Sequence, residues 1–263
     1  RNTITIAGVA AGTEFALSEE KLTLIVTFFR DHVLSLLRGS TFLYSTVGRG
    51  IAIPGGIGGS FVASVASKFK KVDPEHQAVY DAALERLSGA KPGTYQVPEM
   101  HYHYWRGDYS LTSSPNYTFD IRMASTRTAR SENGNGENLK GYFLTEGANA
   151  IVIEGNEYRN IFPVWDWAQI PGTTVPQKAI IPRPTQWEKP GNSIFAGGVS
   201  NVKYGVTTYS MDNPDFNVNT QAKKSWFMFG EEIVCIGAGI KSTATEEINT
   251  TVNQCMQNGA AVV

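Results

Sequence analysis

The chain of 263 residues carries 23 Lys and Arg against 24 Asp and Glu, a formal net charge of −1 with 18% charged residues. This balance gives no global field for nucleic acid or an anionic membrane, so any anionic ligand must be met by local Arg and Lys. No apolar run approaches the roughly 20 residues that would span a bilayer, and the length allows one large domain or two ordinary ones.

Arg1 is followed by polar and β-branched residues rather than a signal peptide, as in a mature secreted protein. There is no initiator Met, and Ala260-Ala261-Val262-Val263 reads like the middle of a strand, so the expectation is an internal piece of a longer polypeptide. Leu22, Ile25, Val26, Phe29, Val33, Leu36 and Leu37 recur at helical spacing, with Ser18 as N-cap and Gly39 as terminator, and predict one long amphipathic helix. The stretch VGRGIAIPGGIGGSF that follows is too rich in Gly for regular helix and predicts a loop with tight backbone approaches. It is not a phosphate loop, since no Gly-Lys-Ser/Thr follows and its glycines do not open a helix after a strand. A second helix is expected from about Pro74 to Leu87, capped by Asp73 and ended by Gly89.

Gly89, Pro92, Gly93 and Pro98 make a linker over Ser88–Pro98. Beyond it the pattern changes to short β-branched and aromatic runs, YTFDIRMAS, AIVIEG, KYGVTTYSM, SWFMFGEEIVCIGAG and INTTVNQCM, which predict a large antiparallel β region. The two cysteines, Cys235 and Cys255, show no metal-binding spacing and are either buried thiols or one disulfide. The apolar neighbours Val234 and Ile236 favour the buried thiol. His101 and His103 share one side of a strand and suit a metal in principle, but no third ligand is apparent and they read as ordinary strand histidines. His32 and His76 read as structural or solvated. The carboxylates Glu132, Glu137, Glu146 and Asp166 could be paired for glycoside hydrolysis, which spacing cannot decide. The basic, amide-rich surroundings of Glu132 point instead to handling of an anion.

Three segments in register carry a family resemblance: MASTRTARSENGNGENLKGYFL from Met123 to Leu144, EYRNIFPVWDWAQIPGTT from Glu157 to Thr174, and KKSWFMFGEEIVCIGAGI from Lys223 to Ile240. Together they resemble the family 8 polysaccharide lyases, the hyaluronate, chondroitin AC and xanthan lyases that cut acidic polysaccharides by β-elimination. The resemblance implies an α+β multidomain fold, the end of an α/α toroid (1–92) followed by an incomplete antiparallel β-supersandwich (95–263). It also implies a site in which a Tyr serves as base and acid, an Asn and a His hold the substrate carboxylate, and an Arg and a Glu complete the cluster. Arg49, in VGRG, matches the Arg, and Glu132 the Glu. Asn135 matches a substrate-contacting Asn, although Asn133-Gly134 and Asn135-Gly136 are strong turn formers in their own right. A second Arg that the family often carries is replaced by Ile53, a departure consistent with a different substrate. Trp187, in PTQWEKPG, is a candidate platform for a sugar face, whereas Trp165 and Trp167 are expected to brace the domain. Neither His101 nor His103 matches the family's catalytic His.

The matching Asn, His and Tyr would precede Arg1, so the remainder of its own chain is an expected partner and these residues alone are expected to be weak or inactive. The other implied partner is an acidic polysaccharide, with no role for nucleic acid or membrane and a secreted or periplasmic location. No redox, nucleotide or metal cofactor is implied, with a structural cation left open. The alternative is a noncatalytic carbohydrate-binding or structural module that keeps the lyase architecture.

Overall fold

The computed structural model describes residues 2–183, 189–215 and 218–260. Four helices come first: α1 (Asn2–Ala10), α2 (Glu19–Thr27), α3 (Phe61–Val72) and α4 (Gln77–Ser88). Val62, Val65, Ala66 and Phe69 of α3 meet Phe29, Tyr80 and Leu87 in one helical core, where the Phe29 and Phe69 rings stack at 4.2 Å. The Cβ stripe at i, i+3, i+4 and i+7 is what buries this face.

The long helix expected over residues 22–37 is instead a composite. α2 passes into a π-helical stretch, Phe28–Val33, then a 3-10 turn, Leu34–Leu36, and the chain turns into β1 (Leu37–Arg38), which pairs with β2 (Thr41–Phe42). Gly39 makes that hairpin turn with φ +56°, and a Cβ there would lie 2.5 Å from the Glu154 carbonyl oxygen. Ser18 forms no side-chain cap, and its carbonyl instead accepts the Leu22 N–H at 2.9 Å. Asp73 likewise does not cap the second helix; it accepts the Tyr80 hydroxyl at 2.6 Å and pairs with His76 Nδ1 at 2.8 Å. Gly89 ends α4 in the left-handed conformation.

The β region contains two four-stranded antiparallel sheets. The first has the order β3 (Met100–Tyr104), β4 (Tyr109–Ser113), β5 (Thr118–Arg122), β6 (Ala148–Val152). The second has the order β11 (Ile233–Ser242), β10 (Thr220–Met228), β9 (Gly205–Asn213), β8 (Ala196–Ser200), and a short ribbon joins β7 (Thr174–Pro176) to β12 (Ile248–Thr250). Burial alternates along β9 and β10, and their inner residues Tyr209, Met211, Trp226 and Met228 pack on Phe119 and Ile121 of β5. The opposite face of the first sheet carries Leu111 and Ala150, which meet Leu43, Tyr44, Ile51, Trp165 and Trp167 in the largest core. Both tryptophans are buried there.

Arg38 ties the helical part to the sheets. Fully buried, it donates to the carbonyl oxygens of Ile153 (2.5 Å), Ser114 (2.8 Å) and Pro115 (2.7 Å). The cysteines differ from expectation, since both are free and exposed. Cys235 lies on β11, which among the described residues pairs with β10 alone and leaves Val234 and Ile236 exposed as well.

Candidate functional site

After β2 a 3-10 turn, Tyr44–Thr46, leads into the Gly-rich stretch expected as a loop between the helices, which opens with a second 3-10 turn, Gly48–Ala52. Gly48 adopts φ +54°, and a Cβ on it would stand 1.9 Å from Glu132 Oε2, so this glycine is what lets the carboxylate approach the backbone. The Arg49 N–H donates to Glu132 Oε2 at 3.0 Å. The Arg49 Nε lies 3.1 Å from Glu137 Oε2 and 3.6 Å from Glu132 Oε1. The guanidinium is thus held between two carboxylates, half-buried and oriented.

A tight turn brings those carboxylates together. Asn135 and Gly136 have φ +53° and +77°, and the Glu137 N–H closes on the Gly134 carbonyl at 2.8 Å, the arrangement that Asn-Gly favours in a two-residue hairpin. Asn138 steadies the base of the turn, its Nδ2 donating to the Glu132 carbonyl at 2.6 Å and to Ser131 Oγ at 3.2 Å. Asn135 sits exposed at the tip. Trp187 lies outside the described residues. The sequence offers Glu137 only as one of the carboxylates suited to glycoside hydrolysis; the two-residue Asn-Gly hairpin, which returns the chain beside Glu132, is the signal that finds it.

A cavity of about 320 Å³ opens beside the pair, lined among others by Tyr44, Ser45, Arg122, Arg130, Glu132 and Thr145. Arg130 forms a buried ion pair with Glu146 and donates to Asn213 Oδ1 at 3.1 Å. Asn213 Nδ2 in turn donates to Glu146 Oε1 at 2.9 Å, which links the loop after β5 to the second sheet. A second cavity, about 490 Å³, is lined by Ile51, Ile53, Lys140, Asn160 and Trp167 among others. Its character at Ile53, where the resemblance leads one to look for a second Arg, is apolar.

His101 and His103 lie away from this cluster, on the face of the first sheet turned to β8 and β9. His103 Nδ1 is 2.8 Å from Ser110 Oγ, which is 2.7 Å from Thr207 Oγ1. Burial pushes His101 down to about 4, so its ring is neutral at ordinary pH. His32 Nδ1 meets the Tyr104 hydroxyl at 3.0 Å. Among the described residues no group of three or more His, Cys, Asp or Glu converges as a metal site, and no helix is long and apolar enough to cross a membrane.

The family description "Polysaccharide lyase family 8, super-sandwich domain" matches residues 99–263. Chondroitinase-AC of Pedobacter heparinus is 39% identical over 259 residues, covering 98% of this chain and 36% of that protein. A xanthan lyase of Bacillus sp. is 33% identical over 166 residues, covering 62% of this chain and 17% of that protein. A solved chondroitinase AC lyase, studied with oligosaccharides, superposes with a TM-score of 0.93 at 40% identity over 98% of this chain and 38% of that one. A chondroitin AC lyase of Streptomyces coelicolor A3, solved with chondroitin sulphate, shares the fold at a TM-score of 0.81 and 21% identity over 96% of this chain and 40% of that one. The chain therefore spans about a third of the length of the Pedobacter relative and a smaller share of the xanthan lyase.

Proposed function

The chain belongs to polysaccharide lyase family 8, and from that premise we propose that it is part of an enzyme that cleaves a uronic-acid-containing polysaccharide, of the chondroitin, hyaluronan or xanthan-like class, by β-elimination. In this reading residues 1–92 are the last part of the helical toroid and 95–263 the first part of the supersandwich. Removing the C5 proton of a uronate places charge on the neighbouring carboxylate, so the site must supply a base and donors around that group. Arg49 supplies a permanent charge and forked donors suited to a carboxylate or a phenolate. Glu132 and Glu137 orient it, while Asn135 and Trp187 meet sugar hydroxyls and a ring face. The proton-abstracting Tyr and the carboxylate-holding Asn and His come, in this reading, from residues outside these 263, and the polymer's size places the reaction outside the cytoplasm. No step requires a metal or an organic cofactor.

The observation that carries the proposal is the Arg49 guanidinium held against Glu132 and Glu137 beside an open cavity. Ile53 in place of a second Arg leaves one cation fewer for the polymer, which favours a substrate of lower or differently spaced charge. The test is to incubate the natural full-length protein with chondroitin, hyaluronan and xanthan and to follow the ultraviolet absorbance of a new unsaturated uronate. Growth on one polymer supports the lyase and names its substrate. Binding of a polymer with no absorbance growth on any of them points to the noncatalytic carbohydrate-binding module instead.

A further inference from the structure

Asp120 sits on β5, on the face of the first sheet turned to the Arg49 loop, and is fully buried. Its Oδ1 accepts the Ala150 N–H at 2.8 Å and its Oδ2 accepts the Tyr109 hydroxyl at 2.9 Å. The remaining donor comes from the loop itself: the Ser45 hydroxyl bonds to the same Oδ2. Beside it the Tyr44 hydroxyl donates to the Asn149 carbonyl, and the Tyr44 ring packs edge-on to Trp165 at 5.1 Å. Between Ser45 and Arg49 the chain has little freedom, because the Thr46 N–H bonds to the Leu43 carbonyl at 3.0 Å and the Gly50 N–H to the Val47 carbonyl at 3.0 Å. A shift at Ser45 is therefore carried along two consecutive tight turns to the guanidinium.

We propose that Asp120 is a positioning residue for Arg49, acting through Ser45: it fixes the near end of the loop on the β-sheet while Glu132 fixes the far end. This rests on the reading of Arg49 given above. A buried carboxylate is otherwise an expensive way to hold a sheet together, and here only part of its bonding serves the sheet. Neither Asp120 nor Ser45 lies in the three segments that carry the family resemblance, and the assignment comes from their geometry alone.

The test is a cycle in the natural full-length protein, with turnover on its polymer as the readout. Ser45→Ala, which removes one hydroxyl from a half-buried position, and Asp120→Asn are each combined with Arg49→Lys. The expected result is that each single substitution lowers kcat by about tenfold with KM changed by less than about twofold, the signature of an interaction realised in the transition state. In the Arg49→Lys background the further loss from Ser45→Ala shrinks to less than about twofold, because residues acting as one unit are not additive. If Asp120→Asn fails to fold, Ser45→Ala alone completes the cycle. The same fold-loss in both backgrounds, or unchanged kcat in Ser45→Ala, overturns the inference while leaving the role of Arg49 intact. Full activity of Arg49→Ala overturns both together.

Discussion

Gly48 is the residue on which the site's geometry depends most directly, since its left-handed φ and its missing Cβ are both required where Glu132 closes on the loop. Gly48→Ala is expected to cost about 1–2 kcal/mol in strain and to lower turnover by about a hundredfold through displacement of Arg49, checked by a thermal melt beside a rate assay. A different residue gives a pH signature. Burial pushes Lys224 down to about 7, with the Gly172 carbonyl as its acceptor and the Trp226 ring 5.4 Å from its Nζ. The unfolded chain holds that proton to the ordinary lysine range, so between the two values the unfolded state binds more protons and stability rises with pH, by up to about 1.4 kcal/mol per unit. Below about 7 both states are protonated and this contribution to the slope vanishes. Urea midpoints measured from pH 7 to 10 should show the rise in the natural protein and a shallower one in Lys224→Met. At this scale Arg49 and Glu132 were singled out by the family resemblance and not by their own spacing, and the structure brings the two together. The sequence left Glu137 half-seen, because the neighbour of a guanidinium is set by a turn and not by adjacency in the chain.

Among the elements, the hairpin of β1 and β2 does more than its length suggests. Arg38 inserts from it into the sheets and satisfies carbonyls from two separate connections, which is why a charged side chain tolerates full burial; the desolvation lowers its affinity for a proton only to about 10, and it stays charged. Arg38→Met leaves those carbonyls without a donor and is expected to destabilise by about 3 kcal/mol or more, read as a fall in melting temperature. Strands were legible because alternation survives in β9 and β10, where one face is buried and the other is not. Helices were less so. Apolar spacing through Leu22–Leu37 does not distinguish an α-helix from one that loosens to a π-helix and tightens to a 3-10 turn before a hairpin. α1, with the sequence NTITIAGVA, carries β-branched residues of modest helix propensity and is held by the burial of Ile4 and Ala7 in the helical core. α3 does carry an apolar stripe, but it begins at the end of a Gly-dense stretch that reads as loop.

Across the whole molecule, the first sheet is the central layer, with the second sheet on one face and the Arg49 loop on the other. The loop is anchored to that sheet at Asp120 and to the turn after β5 at Glu132, so the candidate site is held by the β part although its arginine comes from the stretch between α2 and α3. Periodicity showed that a helical region precedes a β region. It could not show that residues 43–57 leave the helices and join the β core, because that choice is made by tertiary packing of Leu43, Tyr44, Ile51 and Ile57. Nor could it reveal that β11 would leave Cys235 exposed, since apolar neighbours in sequence say nothing of what lies across a sheet. We propose that Arg49, clamped by Glu132 and Glu137, serves β-elimination of an acidic polysaccharide. This role is tested most directly by comparing the natural full-length protein with its Arg49→Ala variant on its preferred polymer, following absorbance of the unsaturated uronate. Steady growth is expected for the natural protein and a loss of about a hundredfold or more for the variant with folding intact; equal rates in the two would overturn the role of Arg49.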